Sequence, residues 1–191
     1  MIFSTNRALR DSTLSLLMNG AIIDTVKTTT FLGVKIDNAS TWSDHIAHVA
    51  RKVSQSVGII KKASYILNRH TLLTLYKSLI MPHLQYSNLI WGNAAKVHLQ
   101  RLVLLQKRVV RMVNKLGSRD HTGPYFVLDN LLMVPDMYQL SCATFLFKLK
   151  FNMYPFFFGN HFQQVFFPVH SHHSATSRSR ASNYVPPLRC R

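Results

Sequence analysis

The residues with the clearest chemical potential in this 191-residue chain are its cations. Lys and Arg number 23 against seven acids, a formal net charge of +16, and the pI is near 10.4. All seven acids are Asp (11, 24, 37, 44, 120, 129 and 136), and Glu is absent. Positions 45–119 hold thirteen Lys or Arg and no carboxylate. A solvated helical face normally mixes both signs for solubility and i,i+4 support. Seventy-five residues of one sign leave an uncompensated field, which a phosphate backbone would neutralise and general solubility does not explain. An anionic membrane surface is the second candidate for such a field.

Catalytic and metal-binding sets are poor by comparison. Two-metal phosphoryl transfer needs carboxylates gathered around the ions. The closest acids, Asp37/Asp44 and Asp129/Asp136, lie seven apart, and neither Asp-Asp nor Asp-x-Asp occurs. No Gly-Lys-Ser/Thr phosphate loop and no Gly-x-Ser-x-Gly elbow is present. His45 and His48 have the i,i+3 spacing of two ligands on one helical turn, but fit a packed His45 and an exposed His48 better. His170, His172 and His173 with Cys190 lack the second Cys and ordered scaffold of a metal site. Trp42, Trp91 and Tyr86 could stack on bases, although aromatics at helical spacing more often build a core. No catalytic residue, metal site or cofactor is therefore expected.

The elements that must carry these cations follow from hydrophobic period. Residues 1–37 are expected as strands. Leu14–Leu17 and Ala21–Ile23 flank a Met18-Asn19-Gly20 turn, and Met1-Ile2-Phe3 is a possible first strand. Thr30–Ile36 is expected as one strand with Leu32, Val34 and Ile36 on a single face. From Thr41, a candidate cap, the period becomes helical. Ile46, Val49, Val53, Val57 and Ile60 recur at three and four, with Arg51, Lys52, Lys61 and Lys62 opposite. A second helix is expected over Thr71–Met81, ended by Pro82. A third spans Ala94–Leu116, buries Leu102, Leu105, Val109, Met112 and Leu116, and stops at Gly117. Arg101, Arg108, Arg111 and Lys115 form a stripe beside its apolar face. Gly123-Pro124 is expected as a loop. Pro135-Asp136 opens a fourth helix burying Tyr138, Cys142, Phe145 and Leu149.

The Phe-rich stretch over 151–167 is broken by Pro155 and Pro168, which suits packing better than an interfacial helix. His170–Arg191 has the composition of an extended tail. Two cysteines exclude a disulfide scaffold, no apolar run reaches the ~20 residues of a spanning helix, and the N-terminus lacks a signal-peptide pattern. The expectation is an intracellular chain without a membrane segment, nuclear or cytoplasmic.

Several motifs, in order, resemble a known family. Phe31-Leu32-Gly33-Val34-Lys35-Ile36-Asp37 with Thr41-Trp42-Ser43-Asp44-His45-Ile46 is similar to the segment following the palm of jockey-like non-LTR retrotransposon reverse transcriptases. Leu75-Tyr76-Lys77-Ser78-Leu79-Ile80-Met81-Pro82, Leu84-Gln85-Tyr86, Trp91-Gly92, Leu105-Gln106-Lys107-Arg108 with Arg111, and Arg119-Asp120-His121-Thr122 continue the likeness. Met1-Ile2-Phe3-Ser4 resembles the end of the family's preceding strand. Ser87 stands where the family often has Cys, and Ser177 splits its late Thr-Arg pair between Thr176 and Arg178.

The resemblance implies an α+β chain: an N-terminal antiparallel β-hairpin or sheet fragment, then a mostly helical, thumb-like bundle and an extended tail. Residues 1–39 would be the end of a palm, 40–116 a basic thumb, 117–168 a helical, Phe-rich linker and 169–191 a Ser/His/Arg tail. It further implies an RNA-directed DNA polymerase fragment that holds template–primer duplex without reading sequence. The expected contacts are Phe31, Leu32 and Gly33 at the primer-gripping hairpin, and Arg51, Lys52, Lys62, Arg101, Arg108, Arg111 and Lys115 on helices. By the resemblance, the family's catalytic carboxylates lie upstream, on the palm hairpin preceding the matched motifs. The full enzyme's Mg²⁺ would therefore not be held by these residues, and the missing upstream palm and fingers region would be a partner. Two alternatives stand beside this: a standalone basic helical adaptor for protein contact, and a degenerate open reading frame without selected function.

Overall fold

The computed structural model describes residues 16–155. Expectations for Met1–Ser4, Leu14-Ser15, the Phe-rich 156–167 stretch, the His170–His173 run with Cys190, and the tail lie outside the described residues. The chain is α+β: two antiparallel hairpins precede seven helices among the described residues.

The first hairpin pairs β1 (Leu16–Met18) with β2 (Ala21–Ile23). Asn19 and Gly20 both take positive φ, 51° and 80°, the conformation a two-residue hairpin turn requires. The second pairs β3 (Thr28–Phe31) with β4 (Val34–Asp37), Phe31 opposite Val34 and Thr28 opposite Asp37. Here the expected single strand is corrected. The chain reverses at Leu32-Gly33, with φ of 47° and 78°, so Leu32 is a turn residue and shares no strand face with Val34 and Ile36. A left-handed leucine is costly enough that alternation alone suggests a straight strand.

Helix α1 (Ser43–Ala63) buries Ile46, Val49, Ala50, Val53, Val57 and Ile60. Thr41 does not cap it: the N-cap is Trp42, left-handed at φ 64°, with no side-chain capping bond. Asp37 organises the approach instead. Its carboxylate accepts from the backbone N–H of Ala39, Thr41 and Trp42 at 3.1, 2.9 and 2.8 Å and from the Thr41 hydroxyl at 3.1 Å.

Helix α2 (Arg69–Leu79) starts two residues before the expected Thr71, because Asn68 caps it by accepting from the Thr71 N–H at 2.9 Å. Pro82 does not punctuate its end but lies in the first turn of α3 (Met81–Gln85). Proline has no N–H to continue the α2 ladder, and the Ser56 hydroxyl from α1 donates to the Leu79 carbonyl at 3.2 Å. After α4 (Asn88–Trp91), α5 (Lys96–Val113) ends before Gly117. Lys115 supplies the left-handed residue at φ 53°, and the Leu116 N–H returns to the Arg111 carbonyl at 2.9 Å. The expected loop at Gly123-Pro124 is instead the start of α6 (Gly123–Leu128), with Pro124 in its first turn. Asn130 closes α6 in the same way, with the Leu131 N–H on the Phe126 carbonyl.

One hydrophobic cluster joins α1 to α5 and continues through Phe126, Leu131, Val134 and Met137. The fully buried Gln106 ties its polar seams: Nε2 donates to Tyr76 Oη at 2.9 Å and to the Leu132 carbonyl at 3.1 Å, while Oε1 accepts from the Val134 N–H at 3.0 Å. The buried face of α5 is Leu99, Leu102, Val103, Gln106, Val109, Val110 and Val113. Leu105, Met112 and Leu116, expected inside, sit half-buried at its margin.

α7 (Val134–Lys150) crosses a division of the chain into two compact units after Gln139. In the second unit, Phe145 stacks on Tyr154 and Phe147 on Phe151, at 5.5 and 4.6 Å between centroids. Leu149 is buried and Cys142 and Phe145 are half-buried. Among the described residues, no helix is long and apolar enough to cross a membrane.

Candidate nucleic-acid interface

The expected contact residues other than Arg111 are exposed, and they fall into three groups. At the β3–β4 turn, Phe31 and Leu32 are 64% and 74% exposed, apolar side chains standing in solvent at a strained turn. Tyr86 braces this turn by donating its hydroxyl to the Leu32 carbonyl. Arg51, Lys52 and Lys62 are exposed on α1, with Arg51 and Lys62 on the face turned away from the core and Lys52 on its flank. Arg101 and Arg108 are exposed along α5, likewise opposite its buried residues, and Lys115 is exposed in the left-handed turn that follows it. Arg111 is half-buried, its Nε donating to the Asp120 carbonyl at 3.2 Å. The cations thus form one stripe per helix. On α5 they follow the face opposite the core rather than flanking it, because Gln106, Val103, Val110 and Val113 rotate the buried face away from them.

The carboxylates do little to neutralise these stripes. Among the described residues, the Lys/Arg–Asp ion pair is that of Arg69 with Asp129. Asp129 is buried and also accepts from Asn114 Nδ2 at 2.9 Å, while Arg69 Nε donates to Asn114 Oδ1 at 2.9 Å. That network locks α2, the end of α5 and the end of α6 together. Asp120 closes a turn by accepting from the Gly117 N–H at 2.7 Å. Partial burial pushes the Asp37 carboxyl up, but the donors from Thr41, Trp42 and Ala39 together outweigh it and hold it below its ordinary value.

Among the described residues, no three His, Cys, Asp or Glu side chains come together. Asp37 and Asp129 are committed to fold-holding bonds.

His45 and His48 sit in different environments. His45 is buried at the start of α1, its Nδ1 accepting from the Lys35 N–H at 3.2 Å and its ring tilted on Trp91 at 5.7 Å. Burial first, then the charges of His48 and Lys35, holds its pKa below the ordinary value. Half-buried His48 faces a cleft of about 460 Å³ between the second hairpin and α1, lined by Thr28, Thr29, Thr30, Lys35, Asp44, Ala47, His48 and Arg51. Of the sequence-derived contacts only Arg51 reaches this cleft. Lys35 and the threonines were missed, because their convergence with α1 depends on the Leu32-Gly33 reversal. The run Thr28-Thr29-Thr30 was the available signal.

Trp91 is fully buried and donates Nε1–H to the Tyr86 carbonyl at 2.9 Å, so it is core rather than a base platform. Half-buried Trp42 packs against the same core. Gly92 is required beside Trp91, since a Cβ there would lie 2.5 Å from the Tyr138 ring and 2.6 Å from the Asn88 carbonyl.

A hairpin-led, basic helical domain of this kind carries the motifs that resemble reverse transcriptases, and known proteins bear out that likeness. The chain is similar to RNA-directed DNA polymerases of non-LTR retrotransposons. In Drosophila melanogaster it is 27% identical over 129 residues to the probable RNA-directed DNA polymerase from transposon BS and 30% over 87 residues to that from transposon X-element. It is also 28% identical over 100 residues to the RNA-directed DNA polymerase from mobile element jockey. These matches cover 64%, 44% and 51% of this chain but only 13%, 10% and 11% of those proteins. No family model and no solved structure matches significantly.

Proposed function

We propose that this chain grips a nucleic-acid duplex, RNA–DNA or DNA, as the template–primer-holding part of a retrotransposon reverse transcriptase, and does not itself polymerise. The observation that carries the reading is the run of thirteen cations without a carboxylate over residues 45–119, seven of which are the expected contacts, six on the two helices and Lys115 in the turn after the second. Likeness to RNA-directed DNA polymerases supports the partner class. Phe31, Leu32 and Gly33 would meet the strand end. Arg51, Lys52, Lys62, Arg101, Arg108, Arg111 and Lys115 would contact phosphates, which position a duplex without reading it.

Spacing supports this assignment. Arg101 and Arg108 are separated by about 10.5 Å of helix rise, close to the ~10.2 Å of three duplex steps. The reading assigns no cofactor to these residues, and Mg²⁺ would belong to carboxylates elsewhere in a complete polymerase.

The test is Arg101→Gln/Arg108→Gln, compared with the parent in anisotropy titrations against RNA–DNA hybrids of two unrelated sequences. Affinity should fall at least about tenfold on both sequences alike, since counterion release is sequence-blind. Unchanged affinity would overturn the assignment. Templated extension of a primer by the purified chain would overturn the non-catalytic part.

A further inference from the structure

We propose that the cleft between the β3–β4 hairpin and the first three turns of α1 is a phosphate-binding site that takes up a proton at His48 when a backbone phosphate enters. This rests on the nucleic-acid reading above and deepens it, since the duplex contacts already assigned make no use of Lys35, His48 or the threonines.

The cleft has a built wall on each side. From the sheet come the Thr28–Thr30 segment and Lys35, which sits opposite Thr30 in the ladder, and the two-residue period puts the Thr28, Thr30 and Lys35 side chains on one face. From α1 come Asp44, His48 and Arg51, at i, i+4 and i+7 and so on one helical face. Ala47 leaves the floor small, and the space of about 460 Å³ is enough for a sugar-phosphate unit. The Lys35 backbone is pinned by its N–H bond to buried His45, which ties the two walls together. Hydroxyls, an ammonium, a guanidinium and an imidazole are the donor types that satisfy phosphate oxygens.

Charge makes the occupancy proton-linked. With His48 neutral, the lining carries Lys35 and Arg51 against Asp44. With His48 protonated, a third cation joins. The groups acting on His48 are Lys35 on β4, Arg51 and Lys52 on α1, and His83 on α3, with Asp44 one turn before it and His45 alongside. Half-burial first and these cations second hold His48 below its ordinary pKa, so it is mostly neutral in the empty cleft near neutral pH. An entering phosphate reverses the sign of that field and draws the proton in. Affinity therefore rises as pH falls. Asp44 opposes the anion and sets how much protonation matters.

The experiment titrates the full chain with a fluorescent RNA–DNA hybrid at pH 7.5 and 5.5 at constant ionic strength, while the His48 ring resonance is followed by NMR. The parent should bind about threefold to tenfold more tightly at the lower pH, and the His48 midpoint should move up when hybrid is added. His48→Gln should remove most of that pH dependence, whereas His98→Gln, on α5, should keep it. Asp44→Asn should tighten binding at pH 7.5. Hybrid binding with no movement of the His48 resonance would overturn the cleft but leave the proposed function standing. No hybrid binding at either pH would overturn both.

Discussion

Replacing Gln106 by leucine tests how the helical domain is held. Gln106 is fully buried and makes three hydrogen bonds, to the Tyr76 hydroxyl, the Leu132 carbonyl and the Val134 N–H. Leucine approximates its volume and supplies none of them, so the change strands an acceptor and a donor on the backbone and leaves the phenol to re-pair. Each stranded buried group costs roughly 1–3 kcal/mol. The two stranded groups together put the total at about 3–5 kcal/mol, against a whole stability of ~5–15 kcal/mol. With an unfolding entropy of about 0.3 kcal/mol/K for some 140 ordered residues, Tm should fall by roughly 10–15 °C. Circular dichroism melts and urea titrations would read it. Tyr76→Phe is the control: it removes one neutral bond while Gln106 keeps the other two, and should cost only about 1 kcal/mol. A Gln106→Leu protein within 1 °C of the parent would refute the claim that this side chain holds α2, α5 and the 132–134 segment together.

Three further outcomes follow from individual residues. Gly92→Ala should destabilise by about 2–3 kcal/mol, because its Cβ would collide with the Tyr138 ring and the Asn88 backbone; chemical denaturation measures it. Acidification should weaken the fold in two stages in a pH series of melts. Below about 6.5 the unfolded chain protonates His45 more readily than the folded one, so stability drops. Asp37, held down in the fold, contributes stability above the ordinary carboxylate range that is lost as pH falls through its folded pKa, and Asp37→Asn should flatten that second stage. Leu32→Asn should raise stability by about 0.5–1 kcal/mol, since asparagine suits the left-handed turn position. If Leu32 meets a strand end as proposed, the same change should weaken hybrid binding.

Much of the fold was legible where local chemistry and tertiary context agree. Asn19-Gly20 announced its hairpin, and the α1 pattern of Ile46, Val49, Val53, Val57 and Ile60 is buried as its period requires. Legibility failed where one residue adopts a conformation its type disfavours. Leu32 and Lys115 take left-handed turns that sequence reasoning assigned to straight chain and to Gly117. It also failed where the decisive bond is non-local. Asp37, five residues upstream of Trp42, displaces Thr41 as organiser of the α1 entrance, and Ser56 reaches across to cap Leu79. The cations were legible as a type, and their solvent-facing placement followed once the helices were known. Lys35 and Thr28–Thr30 were not, because only the folded hairpin brings them to His48 and Arg51.

The most direct measurement of nucleic-acid gripping is the salt dependence of hybrid binding by the intact chain. Seven phosphate contacts give a limiting slope of log Kobs against log salt of about −6, and engagement of most of them should place it between about −4 and −6. Affinity should then fall by roughly a thousandfold from 50 to 200 mM salt. A slope shallower than about −1, or no binding at the lowest salt, would contradict the account.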